Sequence, residues 1–418
     1  MIWSFLVSLC CLFPMVSLAD HSFEFIPRIS VSRVYDDNIY LYDANEKSDT
    51  LTTVSPGVTM TASSLHKTLS IDYAPTWVWY EKYDENDTVR HSGTLSFAQD
   101  LSQQLRFDLT DTYLKSEEPL EEVEEVEGIR RTRNTYQRNT GSASLRYQYG
   151  PENILTLGYR HSLLENEDVT IDDGAIQNSY ATVTYWSGLK NGLELNYQFT
   201  RADFSRDDAF VARDDYRGHG AGIRYVHRFT PDTTISTGYN FTNRNFEGRT
   251  EDYKIQEVTL GMEHSFSPDL SLSLQGGVFV QNNERSDDET GYIYGVSLVK
   301  GFERGSFTIG GQGGWDEAFL EAERRGFTTY WSATSRLEYQ FMQRLNGYAG
   351  GSYRQDKDAT DREWETWRAN CGLRLVFLRW FSLSLDYSHA ERDDDIDTLD
   401  YRVNRVMLFL TGSKPVRL

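Results

Sequence analysis

The sequence predicts an all-β fold: a transmembrane antiparallel up-and-down β-barrel of about 20 strands (range 18–22), with short periplasmic turns and longer acidic extracellular loops. Three observations predict it. Apolar and polar residues alternate with period two along most of the 418 residues, tight-turn signals return every ~40 residues, and negative charge gathers midway between those turns.

Alternation marks a strand with one apolar and one polar face. It is plain in Leu69, Ile71 and Tyr73 against Ser70 and Asp72, and in Leu105, Phe107 and Leu109 against Arg106 and Asp108. The same holds for Leu193, Leu195, Tyr197 and Phe199 against Glu194, Asn196 and Gln198. The clearest run sets Leu270, Leu272, Leu274, Val278 and Val280 against Ser271, Ser273, Gln275 and Gln281. No segment carries a helical stripe and no composition shift marks a boundary, so residues 20–418 read as a single barrel domain.

Turn signals fall near Ser64, Leu101, Pro151, Lys190, Pro231, Pro268, Arg304, Gln343 and Leu378. The intervals each hold two strands of ~10 to 14 residues, too long for propeller blades and suited to barrel hairpins. Nine short turns with both termini on one side require ten longer loops, hence twenty strands. The loops are taken as 36–50, 81–88, 117–133, 165–173, 203–215, 247–252, 284–289, 316–325, 355–363 and 391–400. They carry 47 acidic and 14 basic residues, net −33, whereas everything else carries 16 acidic and 28 basic, net +12. The acidity is confined to one rim, as expected where long loops face outside and short turns face the periplasm.

The chain opens MIWSFLVSLCCLFPMVSLA, apolar, uncharged and ending in Ser17-Leu18-Ala19, so residues 1–19 read as a signal peptide and Asp20 as the first mature residue. Its removal leaves Cys371 alone, expected as a packed free thiol with no intrachain disulfide. Past residue 19 there is no run of ~18 apolar residues, which excludes a helical membrane protein. The net charge of −21 argues against a nucleic-acid partner, and 14% aromatic residues with only 9 prolines argue against disorder. Pro56 and Pro75 lie in strand-like runs; a hairpin centred between Leu65 and His66 places them opposite each other, sharing one kink.

In a lipid-spanning barrel the polar set faces the lumen, because a charge on the lipid side costs ~2–4 kcal/mol at midplane. This assigns Asp72, Arg106, Asp108, Arg146, Glu194, Arg224, Arg228, Glu263, Arg336, Glu338, Arg374 and Asp386 to the interior, as cross-strand pairs or as the lining that sets selectivity. With 18 or more strands, side chains alone do not fill the bore, so an open or loop-constricted channel is expected. Trp77, Trp79, Tyr80, Tyr83, Tyr185, Trp186, Tyr239, Tyr330, Trp331, Trp364, Trp367 and Trp380 sit near strand ends, as interfacial girdles do; a sugar-stacking platform is the alternative.

Gly310, Gly311, Gly313 and Gly314 resemble a phosphate loop only superficially, since no helix follows; they mark a strand with small side chains. Glu121, Glu122, Glu124 and Glu125, and Asp393, Asp394 and Asp395, are candidate loop sites for divalent cations, against the plainer reading of a solvated repulsive rim. No metal site with defined spacing and no cofactor motif is found. His91-Ser92, His161-Ser162 and His264-Ser265 point to opposite faces of a strand and form no nucleophile–base pair.

The segments Val31–Leu41 (VSRVYDDNIYL), Thr53–Gly57 (TVSPG), Asp72–Thr76 (DYAPT), Asn86–His91 (NDTVRH) and Thr110–Glu117 (TDTYLKSE) resemble the β-barrel porin type 2 group. The likeness is closest to outer-membrane barrels associated with PEP-CTERM and exosortase systems in exopolysaccharide loci, is strongest over the first 120 residues, and is one of pattern beyond. The resemblance implies an outer-membrane barrel, serving export of an exopolysaccharide, and supplies no catalytic residues. Unlike the usual barrel, the chain ends Pro415-Val-Arg-Leu418 without a terminal aromatic, which moves the expected assembly signal to Phe409 or Leu410.

The leading expectation is a porin-like passive channel or exopolysaccharide-associated conduit in a Gram-negative outer membrane. The second is a structural or adhesive barrel with a blocked lumen and partner- or cation-binding acidic loops; an outer-membrane hydrolase comes third. Expected partners are outer-membrane lipid and lipopolysaccharide, the barrel assembly machinery, and a polysaccharide or small solute.

Overall fold

The computed structural model describes residues 22–123, 126–130, 132–205, 215–248, 250–320 and 326–417, with backbone alone at 121–123 and 126–128. The expected signal peptide, residues 1–19, lies outside them.

Alternating sequence gives long strands. In chain order they are β1 (Ser22–Asp36), β2 (Asp49–Ser64), β3 (Lys67–Tyr80), β4 (Thr88–Asp100), β5 (Leu105–Ser116), a short hairpin β6 (Leu120–Val123) and β7 (Val126–Ile129), and β8 (Tyr136–Gln148). There follow β9 (Ile154–Asn166), β10 (Asp173–Ser187), β11 (Asn191–Ser205), β12 (Tyr216–Thr230), β13 (Thr233–Phe246), β14 (Tyr253–Ser267), β15 (Leu270–Asn283) and β16 (Glu289–Phe302). The last are β17 (Gly305–Ala318), β18 (Gly326–Met342), β19 (Leu345–Asp358), β20 (Glu363–Leu378), β21 (Phe381–Asp394), β22 (Tyr401–Ser413) and β23 (Val416–Arg417).

Leaving aside the hairpin and β23, which continues β22 along β1, twenty strands pair antiparallel with their sequence neighbours, and β22 pairs back onto β1 from Arg28↔Ser413 to Asp36↔Arg405. The ring is therefore a closed 20-stranded up-and-down barrel. Twenty strands spaced ~4.8 Å apart and tilted ~40° enclose a backbone radius of about 20 Å, too wide for wall side chains to fill.

All nine expected short turns are present, down to the two-residue Leu65-His66, Pro231-Asp232 and Pro268-Asp269 connections, and the longer loops stand at the other end. Four of the turns add a bulge, as between Ser265 and Ser267. The Leu65-His66 turn sets the β2–β3 register, which places Pro56 opposite Pro75; the ladder breaks between Val54↔Trp77 and Val58↔Tyr73 and nowhere else. Both missing amides fall in that gap, and Thr76 Oγ1 donates to Ser55 Oγ across it (2.8 Å).

Register also assigns the faces, because residues opposite each other share one. Ile29, Val31, Leu408 and Leu410 belong to an exposed apolar outer face, together with Leu260, Val278, Ile309 and Leu337. Cys371, on this outer face opposite Ala349 and Tyr387, is exposed, not packed as expected. The polar face is the interior: Arg138 of β8 donates to the Leu320 carbonyl beyond β17 (2.6 Å), a contact possible only across the bore.

Candidate functional site

The bore is the site, and its two halves differ. All twelve charged residues assigned to the interior stand on the polar face. Toward the short turns most form pairs within reach along or across strands. Arg28 of β1 lies over Gly57 of β2 and meets Asp72 of β3 (Arg28 Nη2 to Asp72 Oδ1, 2.7 Å), and Thr59 joins them. A Cβ at Gly57 would come within 2.7 Å of Arg28 Nε, so glycine leaves the lane the arginine crosses. Arg106 pairs with Asp108 (2.9 Å), Arg336 with Glu338 (2.7 Å), and Arg224 with Glu194 opposite it (3.1 Å). Arg228 reaches Glu152 in a turn (2.7 Å) while stacking on Trp186, 3.7 Å from the ring centroid. Tyr348 donates to Asp386 (2.7 Å) over Gly372. Arg146, Glu263 and Arg374 have no ion-pair partner among the described residues.

These inward groups are open to solvent: Arg106 is 51% exposed, Arg336 56% and Glu338 53%. Side chains that face the inside of a closed ring and are nevertheless wetted line a vestibule, not a core.

Toward the long loops the same face is buried. Residues 37–48 fold inward: Ile39 packs on Leu51, Val78 and Tyr80, and Leu41 on Ile129, Tyr401 and Val403. Leu41 takes a left-handed backbone (φ 55°), which costs ~1–2 kcal/mol in a residue with a Cβ. Complete burial of its side chain, at ~1.5–3 kcal/mol, offsets this.

The segment between β5 and β8 enters beside it. Glu117 accepts from Tyr80 Oη (3.0 Å) and Arg90 Nε (2.9 Å), and Arg133 Nε donates to the Ile39 carbonyl (2.8 Å). Glu118 bridges Arg90 and Arg405, and Arg405 also holds Asp36 (2.7 Å). Burial pushes the Glu118 carboxyl up, but Arg90, Arg405 and Arg133 outweigh it and hold it well below the ordinary carboxylate range.

A third inward segment comes from the opposite wall. Phe319 and Leu320, following β17, pack with Tyr136, Leu164, Ala202, Phe204 and Tyr216 of β8, β9, β11 and β12. Together the three segments narrow the bore toward the long loops.

The aromatic positions divide by parity. Trp77, Trp79, Tyr185, Tyr239, Trp331 and Trp367 are exposed on the outer face, consistent with girdles. Tyr80, Trp186, Tyr330 and Trp364 stand one residue out of phase and point inward, correcting the girdle assignment for these four. Arg133, Arg228, Arg354, and both Arg362 and Arg392 cover their respective rings, and Tyr83 packs with the Ile39 cluster. The inward arginines at the outer mouth, Arg90, Arg133, Arg244, Arg354, Arg392 and Arg405, were missed; each lies at a strand end or in a loop, in phase with the polar set.

The cation candidates do not converge. Asp394 is buried and its carboxylate is taken by Arg362 (2.6 Å) and Arg392, while Asp395 accepts from the Glu363 amide (2.8 Å). Asp393 adjoins Asp394 in the same extended strand and faces the other way. Glu124 and Glu125, and the side chains of Glu121 and Glu122, lie outside the described residues, among which no cluster of three metal-ligating side chains is present. Gly310 to Gly314 lie in strand β17, Gly313 beneath the Tyr294 ring. His91 meets Tyr73 Oη on the outer face (2.8 Å) while Ser92 turns to the Ala74 carbonyl, so that pair is split as expected.

A family model described as "Putative beta-barrel porin 2" matches residues 21–179, the part of the chain that carries the resemblance noted above. No curated protein matches the sequence. Among solved structures, the siderophore receptor PirA from Pseudomonas aeruginosa is similar with a TM-score of 0.56 at 7% identity, covering 93% of this chain and 80% of that one. The alcaligin outer membrane receptor FauA from Bordetella pertussis gives 0.53 at 13% identity, over 93% and 76%. OccAB4 of Acinetobacter baumannii aligns over 95% of this chain and 99% of its own at 12% identity, with a TM-score of 0.45. At these identities the likeness is one of fold, that of outer-membrane barrels.

Proposed function

We propose that this protein is a passive outer-membrane channel for small hydrophilic solutes, entered from the periplasm through a charged vestibule and narrowed at its outer end. The observation that carries the reading is the exposure of inward-facing Arg106, Arg336 and Glu338 inside a closed 20-stranded ring. Paired charges of both signs make a wall that hydrates ions without trapping them, because each fixed charge is largely neutralised beside its partner. The porin family match over residues 21–179 supports the same reading. No step of it asks for a nucleophile, metal or cofactor.

The role implied by the closer resemblance, a conduit for exopolysaccharide, is a finer form of this proposal. It requires that a sugar chain enter the vestibule, which saccharide-dependent block of the current would report. A barrel sealed at its outer end is the second reading, favoured by the burial of Trp364, Phe279 and Leu164 on the inner face. Purified protein in a planar bilayer decides between them: stepwise conductance increments are expected, and membranes that stay sealed at adequate protein density reject the channel. Outer-membrane lipid and lipopolysaccharide are the proposed surroundings of the exposed apolar band.

A further inference from the structure

The wall has a seam where two neighbouring strands part. The β16–β17 ladder ends at Tyr294↔Gly313, whereas β15–β16 runs on to Gln281↔Glu289 and β17–β18 to Ala318↔Gly326. Residues 289–293 of β16 and 314–318 of β17 therefore leave equal lengths of strand unpaired with each other.

Below Gly313 the odd-numbered residues of β17, such as Ile309, face outward. Above it β17 turns into the bore in a ribbon with β18, which stays paired to β19 as far as Thr328↔Asp358, and the same face is laid on the inner wall. Trp315 Nε1 donates to Glu257 (3.1 Å), Glu317 accepts from Arg244 (2.7 Å) and Tyr253 (2.6 Å), and Phe327 packs with Tyr253, Ile255 and Phe279. The bend coincides with Gly310, Gly311, Gly313 and Gly314, where a strand without side chains bends readily. Tyr292, which would stand opposite Trp315 if the ladder continued, is left 76% exposed outside.

We propose that this ribbon is a two-position gate. In the position described it crosses the bore. In the other, β17 zips onto residues 289–293 of β16 in the existing register, carrying Trp315 outward beside Tyr292 and withdrawing Phe319 and Leu320 from β11 and β12. Gly314 already lies against Ile293, its pairing partner in that register: a Cβ there would be 3.7 Å from Ile293 Cγ1. The two positions exchange one set of contacts for another. The inward one keeps the Glu317 clasp and an apolar cluster; the zipped one gains ladder hydrogen bonds and puts two aromatics at the membrane surface, where amphipathic rings are favoured. Two packings of one element make a switch.

The inference rests on the channel reading, so its test is scored first without current. In a C371S background, E257C/W315C bridges the inward position and Y292C/W315C the zipped one; heat-shifted gel mobility checks that each barrel folds. We expect both disulfides to form on oxidation. We further expect the zipped lock to raise conductance roughly twofold or more, the inward lock to abolish the large state, and reduction to restore the original current. E317Q is expected to favour opening about tenfold, the factor for one charge-assisted hydrogen bond. A folded Y292C/W315C protein that never crosslinks while the E257C/W315C control does overturns the gate whatever the current. Crosslinking at both positions with no current in either upholds the gate and rejects the channel.

Discussion

Arg28, Arg146 and Arg374 carry the same charge on the same face, yet they are expected to act differently. Arg28 is tied to Asp72 and Thr59, as Arg224 is to Glu194, and a tied pair presents little net field to a passing ion. Arg146 stands directly opposite Arg106, which is itself satisfied by Asp108, and Arg374 lies between Asn346 and Ser384. In the proposed channel the unpaired residues are therefore expected to set selectivity. The R146A/R374A double variant is expected to shift the reversal potential in a salt gradient toward cations, whereas E194Q/R224Q, which removes a balanced pair, leaves it in place. Equal shifts in the two variants would show that pairing does not matter. Stability should change little in either, since exposed pairs are worth ~0.2–1 kcal/mol.

The inward loops are where titration matters. Glu118, held below its ordinary value of 4.5 by Arg90, Arg405 and Arg133 after burial has pushed the other way, stabilises the folded-in segment as a carboxylate. A depressed pKa means this contribution is complete above the unfolded value and is lost as pH falls through the folded one. Conductance is thus expected to stay level from neutral pH down to the ordinary carboxylate range and to rise only in stronger acid. E118Q, losing about 2 kcal/mol of charge-assisted bonding, should be more open at neutral pH and show a smaller response to acid. A rise beginning near pH 6 would point to a histidine instead.

The same elements show what the residues reveal before folding. Strands and turns were legible because period two and the Asn, Gly and Pro positions act locally, and the Pro56–Pro75 register followed from a two-residue turn. Which charges share the polar face was legible for the same reason. The inward folds were not, since Ile39, Leu41, Phe319 and Leu320 are isolated apolar residues in acidic loops and their partners lie across the bore. A usable signal was present in the phase: Tyr80 follows Trp77 and Trp79 by an odd step, and Trp186 follows Tyr185, so they cannot share a girdle.

At the scale of the whole molecule the barrel is a funnel, wetted toward its short turns and crowded toward its acidic loops. Neutral polymers of graded size, added to one side of an oriented bilayer, are expected to enter further from the short-turn side. Larger polymers should alter the current from that side than from the other, and equal cut-offs would reject the asymmetry. The ring also closes between its first and last barrel strands, β1 and β22. Until the final strand has been made, nothing in the chain covers the hydrogen-bonding edge of the first, and twenty strands of half-apolar sequence wait with two adhesive margins exposed. On the outer-membrane reading, maturation is therefore expected to be a matter of timing: the longer closure is delayed, the longer both margins stay open to pairing with other copies of the chain.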